Sequence, residues 1–233
     1  MIILLQGKEE LRMLYSTSDK LLIVGGANFS EDLFEAVYNN GTPIIAADGG
    51  ANFLADRNIS PELIIGDLDS ISHKTIQNIE TEKIITISDQ NTTDLEKVLS
   101  NTESSLTIGI GFLGSRIDHE LASLSALAKF SHKKIILIGE EDIILLIPPS
   151  FSLPSFDGMR VSLFPLGSVN VQSEGLKWST EGLTMKPTNK IGTSNQAIGK
   201  VIKLNPDAPK LLLILPKSLL NDAVLELEHS PCW

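Results

Sequence analysis

A recurring unit in the first half of the chain restricts the possible folds: an aliphatic run of strand length ends in Gly or Asp and leads into a segment of helical period. The runs are aliphatic on both faces, which is typical of strands in a parallel sheet that helices cover on both sides. The sequence therefore predicts an α/β domain with a mostly parallel sheet over residues 1–148. The predicted strands occupy residues 21–24, 44–47, 63–65, 84–87, 106–108, 135–138 and 143–147.

The pattern changes after Pro148-Pro149, where short alternating strands are broken by turn residues. Residues 160–164 and 201–204 show this alternation, and residues 211–215 form a wholly aliphatic strand. The sequence therefore predicts an antiparallel β domain over residues 149–233. No aliphatic run reaches the roughly 20 residues of a membrane helix, and Met1–Leu5 is too short for a signal-peptide core, so we expect no membrane partner.

The charge balance and the single cysteine indicate which ligands the protein can bind and in which compartment it is expected. Lys and Arg total 19 and Asp and Glu total 29, which gives a formal net charge of −10. This balance lacks the basic footprint of a nucleic-acid-binding protein and repels anions, so a phosphate substrate must be held locally by amides, an Arg or a cation. The single cysteine, Cys232, cannot form a disulfide within the chain, which is typical of a cytoplasmic protein.

Polar residues follow the predicted strands at their carboxyl ends. Asp48-Gly49-Gly50-Ala51 stands between a strand and a helix, where glycines let a ligand approach the backbone and helical amides attract an anion. Taken alone, this motif is better explained as an ordinary turn with an Asx hydrogen bond. In Gly66-Asp67-Leu68-Asp69-Ser70, two carboxylates can converge on a hard cation such as Mg²⁺ while Gly66 leaves room for phosphate. A solvated acidic turn is the alternative.

Two further motifs have the same placement. Gln90-Asn91-Thr92-Thr93-Asp94 opens a helix and makes Asp94 a third candidate metal ligand, whereas a capping box between Thr93 and Glu96 is the alternative. In Gly114-Ser115-Arg116-Ile117-Asp118-His119, Arg116 has the planar fork that grips phosphate, and Asp118 can orient it. A solvated ion pair is the alternative there, and His119 is interpreted as structural.

Together the four motifs predict a ligand site more strongly than any one of them alone. All four follow the carboxyl ends of predicted parallel strands, which face one edge of the sheet, where ligands bind. The aspartates of these motifs and one arginine, without a Ser/His/Asp or Cys/His set, suit phosphoryl-type transfer, in which positioning and charge neutralisation do most of the work. The chain has no Gly-x-x-x-x-Gly-Lys-[Ser/Thr] loop, which excludes a P-loop enzyme.

These four motifs, followed in the second half of the chain by Gly175-Leu176-Lys177-Trp178 and Thr193-Ser194-Asn195, resemble the thiamine pyrophosphokinase family. The resemblance spans most of the chain. It implies transfer of the β,γ-diphosphoryl unit of ATP to the hydroxyl oxygen of thiamine, with Mg²⁺, to give AMP and thiamine diphosphate. It also implies a Rossmann-like N-terminal domain, a C-terminal β-sandwich and a homodimer with active sites at the subunit junction. The motifs that carry it are Asp48-Gly49-Gly50-Ala51-Asn52, Gly66-Asp67-Leu68-Asp69-Ser70, Gln90-Asn91-Thr92-Thr93-Asp94, Gly114-Ser115-Arg116-Ile117-Asp118-His119, Gly175-Leu176-Lys177-Trp178 and Thr193-Ser194-Asn195.

The resemblance also implies roles for individual residues. Residues 1–148 would bind ATP and Mg²⁺, and residues 149–233 would bind thiamine and form the dimer. Position by position, the implied metal ligands are Asp67, Asp69, Thr93 and Asp94; the nucleotide contacts are Asp48, Gly49, Gly50, Arg116 and Asp118; the thiamine contacts are Gln90, Thr193, Ser194 and Asn195; and the catalytic residues are Asp48, Asp67, Asp69, Asp94, Arg116 and Asp118.

Some positions depart from the family pattern. Asn91 stands where the family usually has Asp, and we expect activity to survive because Asp94 remains. The strand at 211–215 lacks the tryptophan that can stack on thiamine in eukaryotic members, and Trp178, in an alternating strand, is interpreted as core. Two alternatives stay open: a diphosphotransferase for another hydroxymethyl heterocycle such as a pterin, and a silent sensor of nucleotide or thiamine diphosphate. The motif Gly175-Leu176-Lys177-Trp178 favours thiamine, and the retained aspartates argue against the sensor.

Overall fold

The described residues of the chain, in a computed structural model, are 3–4 and 13–233, so most of the apolar run Met1–Leu5 lies outside them. The chain divides into two compact units, residues 1–126 with 138–140 and residues 127–137 with 141–233. The sequence analysis placed the boundary after residue 148. The compact units divide before residue 148 because Asp142–Leu146 pairs antiparallel with Leu211–Pro216 inside the second unit.

The first unit is built on parallel strands, most of which coincide with the predicted aliphatic runs. These strands are β1 (Ile3–Leu4), β2 (Tyr15–Ser16), β3 (Lys20–Val24), β4 (Ile44–Ala47), β5 (Leu63–Gly66), β6 (Ile84–Thr86), β7 (Thr102–Glu103) and β8 (Leu106–Ile110). The main sheet has the order β1-β6-β5-β4-β3-β8, and β2 and β7 form a separate parallel pair. Each pairing in this order is parallel, which confirms the predicted sheet type.

Helices follow these strands, and three of them begin at residues whose side chains cap them. Ser30, Ser72 and Thr93 each accept a hydrogen bond from a backbone N–H in the first helical turn. A short 3-10 helix covers Thr81–Lys83. The α-helices are α1 (Glu31–Val37), α2 (Gly50–Asp56), α3 (His73–Gln77), α4 (Asp94–Asn101) and α5 (Ile117–Lys129).

The second unit consists mainly of antiparallel strands, as the sequence predicts. They are β9 (Ile135–Ile138), β10 (Asp142–Leu146), β11 (Phe151–Pro154), β12 (Arg160–Pro165), β13 (Val169–Glu174), β14 (Thr184–Met185), β15 (Gly192–Gln196), β16 (Val201–Pro206) and β17 (Leu211–Pro216). Strands β9, β10, β17, β12 and β15 are neighbours in that order, and β11, β16, β13 and β14 form a second sheet. The pairs of β17 with β10 and β12, and of β16 with β11 and β13, are all antiparallel.

A 3-10 helix at Lys217–Leu219 leads into an α-helix that the sequence analysis did not predict. This helix, α6 (Leu220–His229), buries Ala223, Val224 and Leu227. Their spacing is a helical period, a signal that the emphasis on short strands passed over. With α6 included, no helix in the described part of the chain is long and apolar enough to cross a membrane.

Candidate active site

Asp48, Asp67 and Asp69 come together at the carboxyl ends of two neighbouring strands. Asp48 directly follows β4, and Asp67 directly follows β5, its parallel neighbour. One oxygen of each carboxylate lies within 4.8 Å of the other two. Carboxylate oxygens are the ligands that Mg²⁺ prefers, so this donor set fits a hard divalent cation.

Asp48 is the buried member of this group and holds the loop that carries the other two. Its Oδ1 accepts the N–H of Leu68 at 2.9 Å, and its Oδ2 accepts the N–H of Ser70 at 3.3 Å. Asp48 and Leu68 have φ values of 43° and 70°, which residues other than glycine rarely adopt. The carboxylate of Asp48 therefore stabilises a loop conformation that the backbone alone disfavours.

The surroundings of Asp48 raise its pKa above the ordinary value for an aspartate. Burial is the largest cause, and the negative charges of Asp94 and Asp67 act in the same direction. The hydrogen bonds from Ser70 and Leu68 oppose the shift without cancelling it. A divalent cation among these carboxylates would relieve their repulsion, which is a second reason that the group suits one.

Two glycines of the predicted motifs are explained by packing. A Cβ on Gly66 would lie 2.8 Å from the Cβ of Asp48, and a Cβ on Gly50 would lie 1.9 Å from the carbonyl oxygen of Val24. The space at Gly66 is thus filled by Asp48, and the expectation that it is room for phosphate was wrong. Gly50 lets the start of α2 lie directly against β3.

Asp94 lies outside the three-carboxylate group, and its role as a metal ligand stays a prediction. Its Oδ1 accepts a hydrogen bond from Nζ of Lys97 at 3.1 Å, and the same Nζ lies 3.5 Å from Oδ2 of Asp67. Burial lowers the pKa of Lys97, but the hydrogen bond and charge of Asp94, together with Asp67, outweigh burial and raise it. Lys97 therefore pairs with two of the predicted aspartates, Asp67 and Asp94.

Thr93, the fourth implied metal ligand, is the N-cap of α4. Its hydroxyl accepts the N–H of Glu96 at 3.4 Å, and the Glu96 carboxylate accepts the N–H of Thr93 at 3.1 Å. This capping box confirms the alternative interpretation of the motif and occupies the hydroxyl that the resemblance assigned to the metal.

We expect Thr93→Ala to lower the free energy of unfolding by about 1 kcal/mol, because α4 loses its cap. Thr93→Ser keeps a hydroxyl at this position and should retain the stability. Chemical denaturation measures the change, and a Mn²⁺ titration of the same proteins should give equal affinities. A loss of Mn²⁺ affinity in Thr93→Ala that the serine restores would instead assign Thr93 to the metal site.

The Asp89 carboxylate holds the turn at residues 89–92, before α4, through hydrogen bonds. Its Oδ1 accepts the backbone N–H and the Nδ2 of Asn91 at 3.0 and 2.8 Å, and its Oδ2 accepts the Thr92 hydroxyl at 3.0 Å. The Asn91 amide is therefore bound within this turn. Gln90, implied as a thiamine contact, donates from Nε2 to Oδ2 of Asp67 at 3.0 Å and so touches the carboxylate group.

Asp67 is held in its ionised form by this environment. Burial raises its pKa, but the hydrogen bond from Gln90 and the charge of Lys97 outweigh burial, so the pKa lies below the ordinary value. A carboxylate that stays ionised keeps its oxygens available as metal ligands. Asp67 is thus prepared to bind a cation at neutral pH.

A cavity of about 300 Å³ lies at the carboxyl ends of these strands, and Asp48, Gly49, Asp94 and Arg116 are among its lining residues. Arg116 forms a bidentate pair with Asp118, with Nη2 to Oδ2 at 2.6 Å and Nε to Oδ1 at 3.2 Å. The pairing lowers the pKa of Asp118 and raises that of Arg116. Both side chains are about two-thirds exposed, so the guanidinium is accessible to an anionic ligand.

The remaining implied contacts, Thr193, Ser194 and Asn195, lie on β15 of the second unit. Thr193 and Ser194 are exposed, and the N–H of Ser194 donates to the Ser162 hydroxyl at 2.9 Å. Asn195 is buried; its Oδ1 accepts the N–H of Trp178 at 3.2 Å, and its Nδ2 donates to the Trp178 carbonyl at 2.8 Å. The Asn195 amide therefore holds the backbone of Trp178.

Trp178 itself is 55% exposed, so its interpretation as core was wrong. It follows an isolated bridge between Leu176 and Ala197 and lies outside the regular strands. The Lys177 Nζ is 4.8 Å from the centroid of its ring. An exposed indole with a fixed backbone is available to a ligand or a partner.

We expect Asn195→Ala to increase acrylamide quenching of Trp178 fluorescence and to lower stability by about 1–2 kcal/mol, because the Trp178 backbone loses its partner. The chain has two tryptophans, so a Trp233→Phe background leaves Trp178 as the only tryptophan. Thr193→Ala, on the same strand but exposed, is the matched control and should show neither change. Equal quenching in Asn195→Ala and its parent would contradict this role of Asn195.

Comparisons with known proteins agree with this arrangement. Residues 34–138 match the family model for the thiamin pyrophosphokinase catalytic domain, and residues 150–211 match the model for its vitamin B1 binding domain. Over 198 residues the chain is 30% identical to thiamine pyrophosphokinase 1 of Oryza sativa subsp. japonica, covering 70% of this chain and 75% of that protein. The chain belongs to the thiamine pyrophosphokinase family. Thiamine pyrophosphokinase 2 of Arabidopsis thaliana is 30% identical over 204 residues, 73% of this chain and 76% of the relative.

Solved structures of the family have a similar fold. The thiamin pyrophosphokinase from Candida albicans superposes with a TM-score of 0.73 at 18% identity, covering 86% of this chain and 90% of its own. The yeast thiamin pyrophosphokinase gives a TM-score of 0.72 at 20% identity, covering 88% and 89%. These similarities establish a mixed α/β fold of the family type.

Sequence analysis did not single out two residues of the site, Lys97 and Asn52. Asn52, on α2, donates to the Ser70 carbonyl at 2.9 Å and accepts the N–H of Ser72 at 2.9 Å, so it holds the end of the loop at residues 67–70. The sequence signal for Asn52 was its position at the end of the motif Asp48-Gly49-Gly50-Ala51-Asn52. Lys97 follows Asp94 by three residues, the spacing at which side chains meet on a helix.

Proposed function

We propose that this protein transfers the diphosphoryl group of ATP to the hydroxyl group of thiamine, giving thiamine diphosphate and AMP. One observation carries the proposal: successive segments match the catalytic and vitamin B1 binding domains of the family, and the catalytic segment contains the carboxylate group. These matches do not favour a pterin substrate or a silent sensor.

In this reaction the hydroxyl oxygen of thiamine attacks the β-phosphorus of ATP, the bond from that phosphorus to the α,β-bridging oxygen breaks, and AMP leaves. The hydroxyl proton passes to a carboxylate of the site. Positioning and charge neutralisation supply most of the acceleration of such a transfer. The chain contributes them through its carboxylates and Arg116.

The residues that would hold Mg²⁺ are Asp67 and Asp69, with Asp48 beside them. The ion, when bound, neutralises charge on the phosphate oxygens. Asp48 keeps both ligands in place through its hydrogen bonds to Leu68 and Ser70. Asp94 lines the cavity and is paired with Lys97.

Arg116 is the proposed phosphate contact of the nucleotide. Asp118 accepts from Nε and Nη2 of Arg116, and the remaining N–H groups of Nη1 and Nη2 can donate to phosphate oxygens. Gly49 lies in the cavity lining and is a proposed backbone contact of the nucleotide. In the second unit, the exposed Thr193 and Ser194 are the proposed thiamine contacts, and Asn195 acts through Trp178.

At the level of domains, we propose that the Rossmann-like first unit binds ATP, and that a β-sandwich in the second unit binds thiamine and forms a homodimer. The domain matches support the first two statements, and the homodimer rests on the family resemblance. Light scattering on the purified protein tests the dimer. A cytoplasmic location stays a prediction from the single cysteine.

The experiment that tests the proposed reaction measures AMP release from ATP and Mg²⁺ with and without thiamine, and identifies the thiamine product by mass. Thiamine-dependent AMP together with thiamine diphosphate is the expected result. ADP with thiamine monophosphate would contradict diphosphoryl transfer and indicate transfer of a single phosphoryl group. The absence of turnover would contradict the proposal.

A further inference from the structure

The side-chain amide of Asn52 connects α2 with the segment that leads from the aspartates into α3. Its Nδ2 donates to the Ser70 carbonyl at 2.9 Å, and its Oδ1 accepts the N–H of Ser72 and the hydroxyl of Thr75, each at 2.9 Å. These partners fix the orientation of the amide, because a carbonyl oxygen needs a donor and an N–H needs an acceptor. Asn52 therefore binds the end of the loop at residues 67–70 and the first turn of α3 at the same time.

The contact between Asn52 and α3 is supported by buried hydrogen bonds. Thr75 is 5% exposed, and its hydroxyl lies 2.9 Å from the Ser72 hydroxyl as well as from Oδ1 of Asn52. The Ser72 hydroxyl also accepts the N–H of Thr75 at 3.1 Å and so caps α3. The start of α3 thus holds the Asn52 amide in a defined position.

Ser70 is held at both its N–H and its carbonyl group by the motif at residues 48–52. Oδ2 of Asp48 accepts the Ser70 N–H at 3.3 Å, and Nδ2 of Asn52 donates to the Ser70 carbonyl at 2.9 Å. A Cβ on Gly49 would lie 3.2 Å from the Cβ of Ser70, so the glycine lets Ser70 pack closely against the start of α2. The backbone of Ser70 therefore has little freedom to rotate.

The position of Ser70 determines where its hydroxyl points, and the hydroxyl contacts Asp69. It donates to Oδ1 of Asp69 at 2.8 Å, which within residues 13–233 is the one hydrogen bond of the Asp69 side chain. Asp69 is exposed, so this contact, rather than packing, limits rotation of its carboxylate. Loss of a group that orients a metal ligand typically weakens metal binding by about 10- to 100-fold. Asn52 thus acts on the carboxylate group through Ser70.

We propose that Asn52 is a positioning residue of the metal site, which keeps Asp69 in place for a divalent cation by holding Ser70 against α2. The inference deepens the proposed function, because it rests on that function for Asp69 as a ligand of Mg²⁺. Its consequence is a metal affinity that depends on Asn52 and Ser70 together, whichever substrate the protein uses.

The test is a Mn²⁺ titration of the metal-free protein without nucleotide, followed by the paramagnetic resonance signal of free Mn²⁺. We expect Asn52→Ala and Ser70→Ala each to weaken Mn²⁺ binding by about 10-fold. The double variant should also lose about 10-fold, rather than the product of about 100-fold, because both substitutions remove the same support of Asp69. Asn78→Ala, at an exposed asparagine directly after α3, is the matched control and should bind Mn²⁺ as the wild-type protein does.

Three results would overturn the proposal. The first is wild-type Mn²⁺ affinity in Asn52→Ala, and a lower melting temperature of that variant would then assign Asn52 to stability alone. The second is a loss of about 100-fold in the double variant, which would show that Asn52 does not act through the Ser70 hydroxyl. The third is a wild-type protein that binds no Mn²⁺.

A second pair of variants keeps the test decisive if Asn52→Ala does not fold. Thr75→Val keeps nearly the shape of threonine but lacks the hydroxyl that donates to Oδ1 of Asn52. It should weaken Mn²⁺ binding, whereas Thr75→Ser, which retains the hydroxyl, should not. Equal affinities in the two variants would contradict the proposal.

Failure of the proposed function is distinguishable from failure of this inference. A wild-type protein that makes no thiamine diphosphate, but whose Mn²⁺ affinity falls in Asn52→Ala as expected, would contradict the reaction and leave the role of Asn52 intact. Thiamine diphosphate formation together with equal Mn²⁺ affinities in the wild-type protein and Asn52→Ala would do the opposite.

Discussion

Asp69→Asn is expected to lower kcat by about 10²- to 10³-fold at saturating ATP, Mg²⁺ and thiamine, with little change in thermal stability. Asp69 is exposed, and its one side-chain hydrogen bond, from the Ser70 hydroxyl at 2.8 Å, is to an oxygen that an amide can replace. The substitution therefore removes a negative charge from the carboxylate group and leaves the loop intact. Steady-state kinetics and differential scanning calorimetry measure the two quantities.

The matched control is Asp32→Asn, an exposed aspartate in the first turn of α1. It should leave kcat unchanged and alter stability by less than about 1 kcal/mol, the usual size of a helix-terminus charge effect. An Asp69→Asn protein that keeps Mg²⁺-dependent turnover would contradict the assignment of Asp69 to the metal. Equal losses in both variants would point to a general charge effect.

Asp48→Ala is expected to lower both stability and turnover. The free energy of unfolding should fall by about 2–3 kcal/mol, because the N–H groups of Leu68 and Ser70 lose their acceptors in part-buried hydrogen bonds. The loop then loses the contacts that hold Asp67 and Asp69 together, so kcat should fall by about 10²-fold. Urea denaturation and steady-state kinetics provide the measurements.

Asp48→Asn separates the two contributions of this residue. Its amide oxygen can still accept the Leu68 N–H, but its amide nitrogen faces the Ser70 N–H, so stability should fall less than in Asp48→Ala. The loss of charge should weaken Mn²⁺ binding in both variants. An Asp48→Ala protein with wild-type stability and turnover would show that the 67–70 loop keeps its conformation without Asp48.

The parallel sheet was predictable because its strands are apolar on both faces, which leaves few other folds. For β4 and β9 the predicted bounds, residues 44–47 and 135–138, agree with the structure residue for residue. Helix α6 was missed because its apolar residues follow a region interpreted as short strands. The division into compact units falls before the predicted boundary at residue 148, because β10 is adjacent in sequence to the first unit but pairs with β17; the predicted boundary stays a prediction.

The candidate site was predictable where the backbone alone brings residues together, as at Asp48, Asp67 and Asp69. The site was not predictable where the position of a side chain depends on its contacts with residues distant in the sequence. Lys97 is buried against two carboxylates: its spacing from Asp94 on α4 was visible in the sequence, but its contact with Asp67, which follows β5, was not. The burial of Asn195 likewise depends on a segment, around Trp178, that lies far away in sequence.

The position of β17 between β10 and β12 has a consequence for synthesis of the chain. Leu146 pairs with Leu212, so β10 is made about 65 residues before this neighbour, which at roughly 5–20 residues per second is a delay of several seconds on the ribosome. During that interval an aliphatic strand has an unpaired edge, the kind of surface that associates with other chains. A protein truncated before Leu211 would leave both β10 and β12 in that state permanently, and should aggregate.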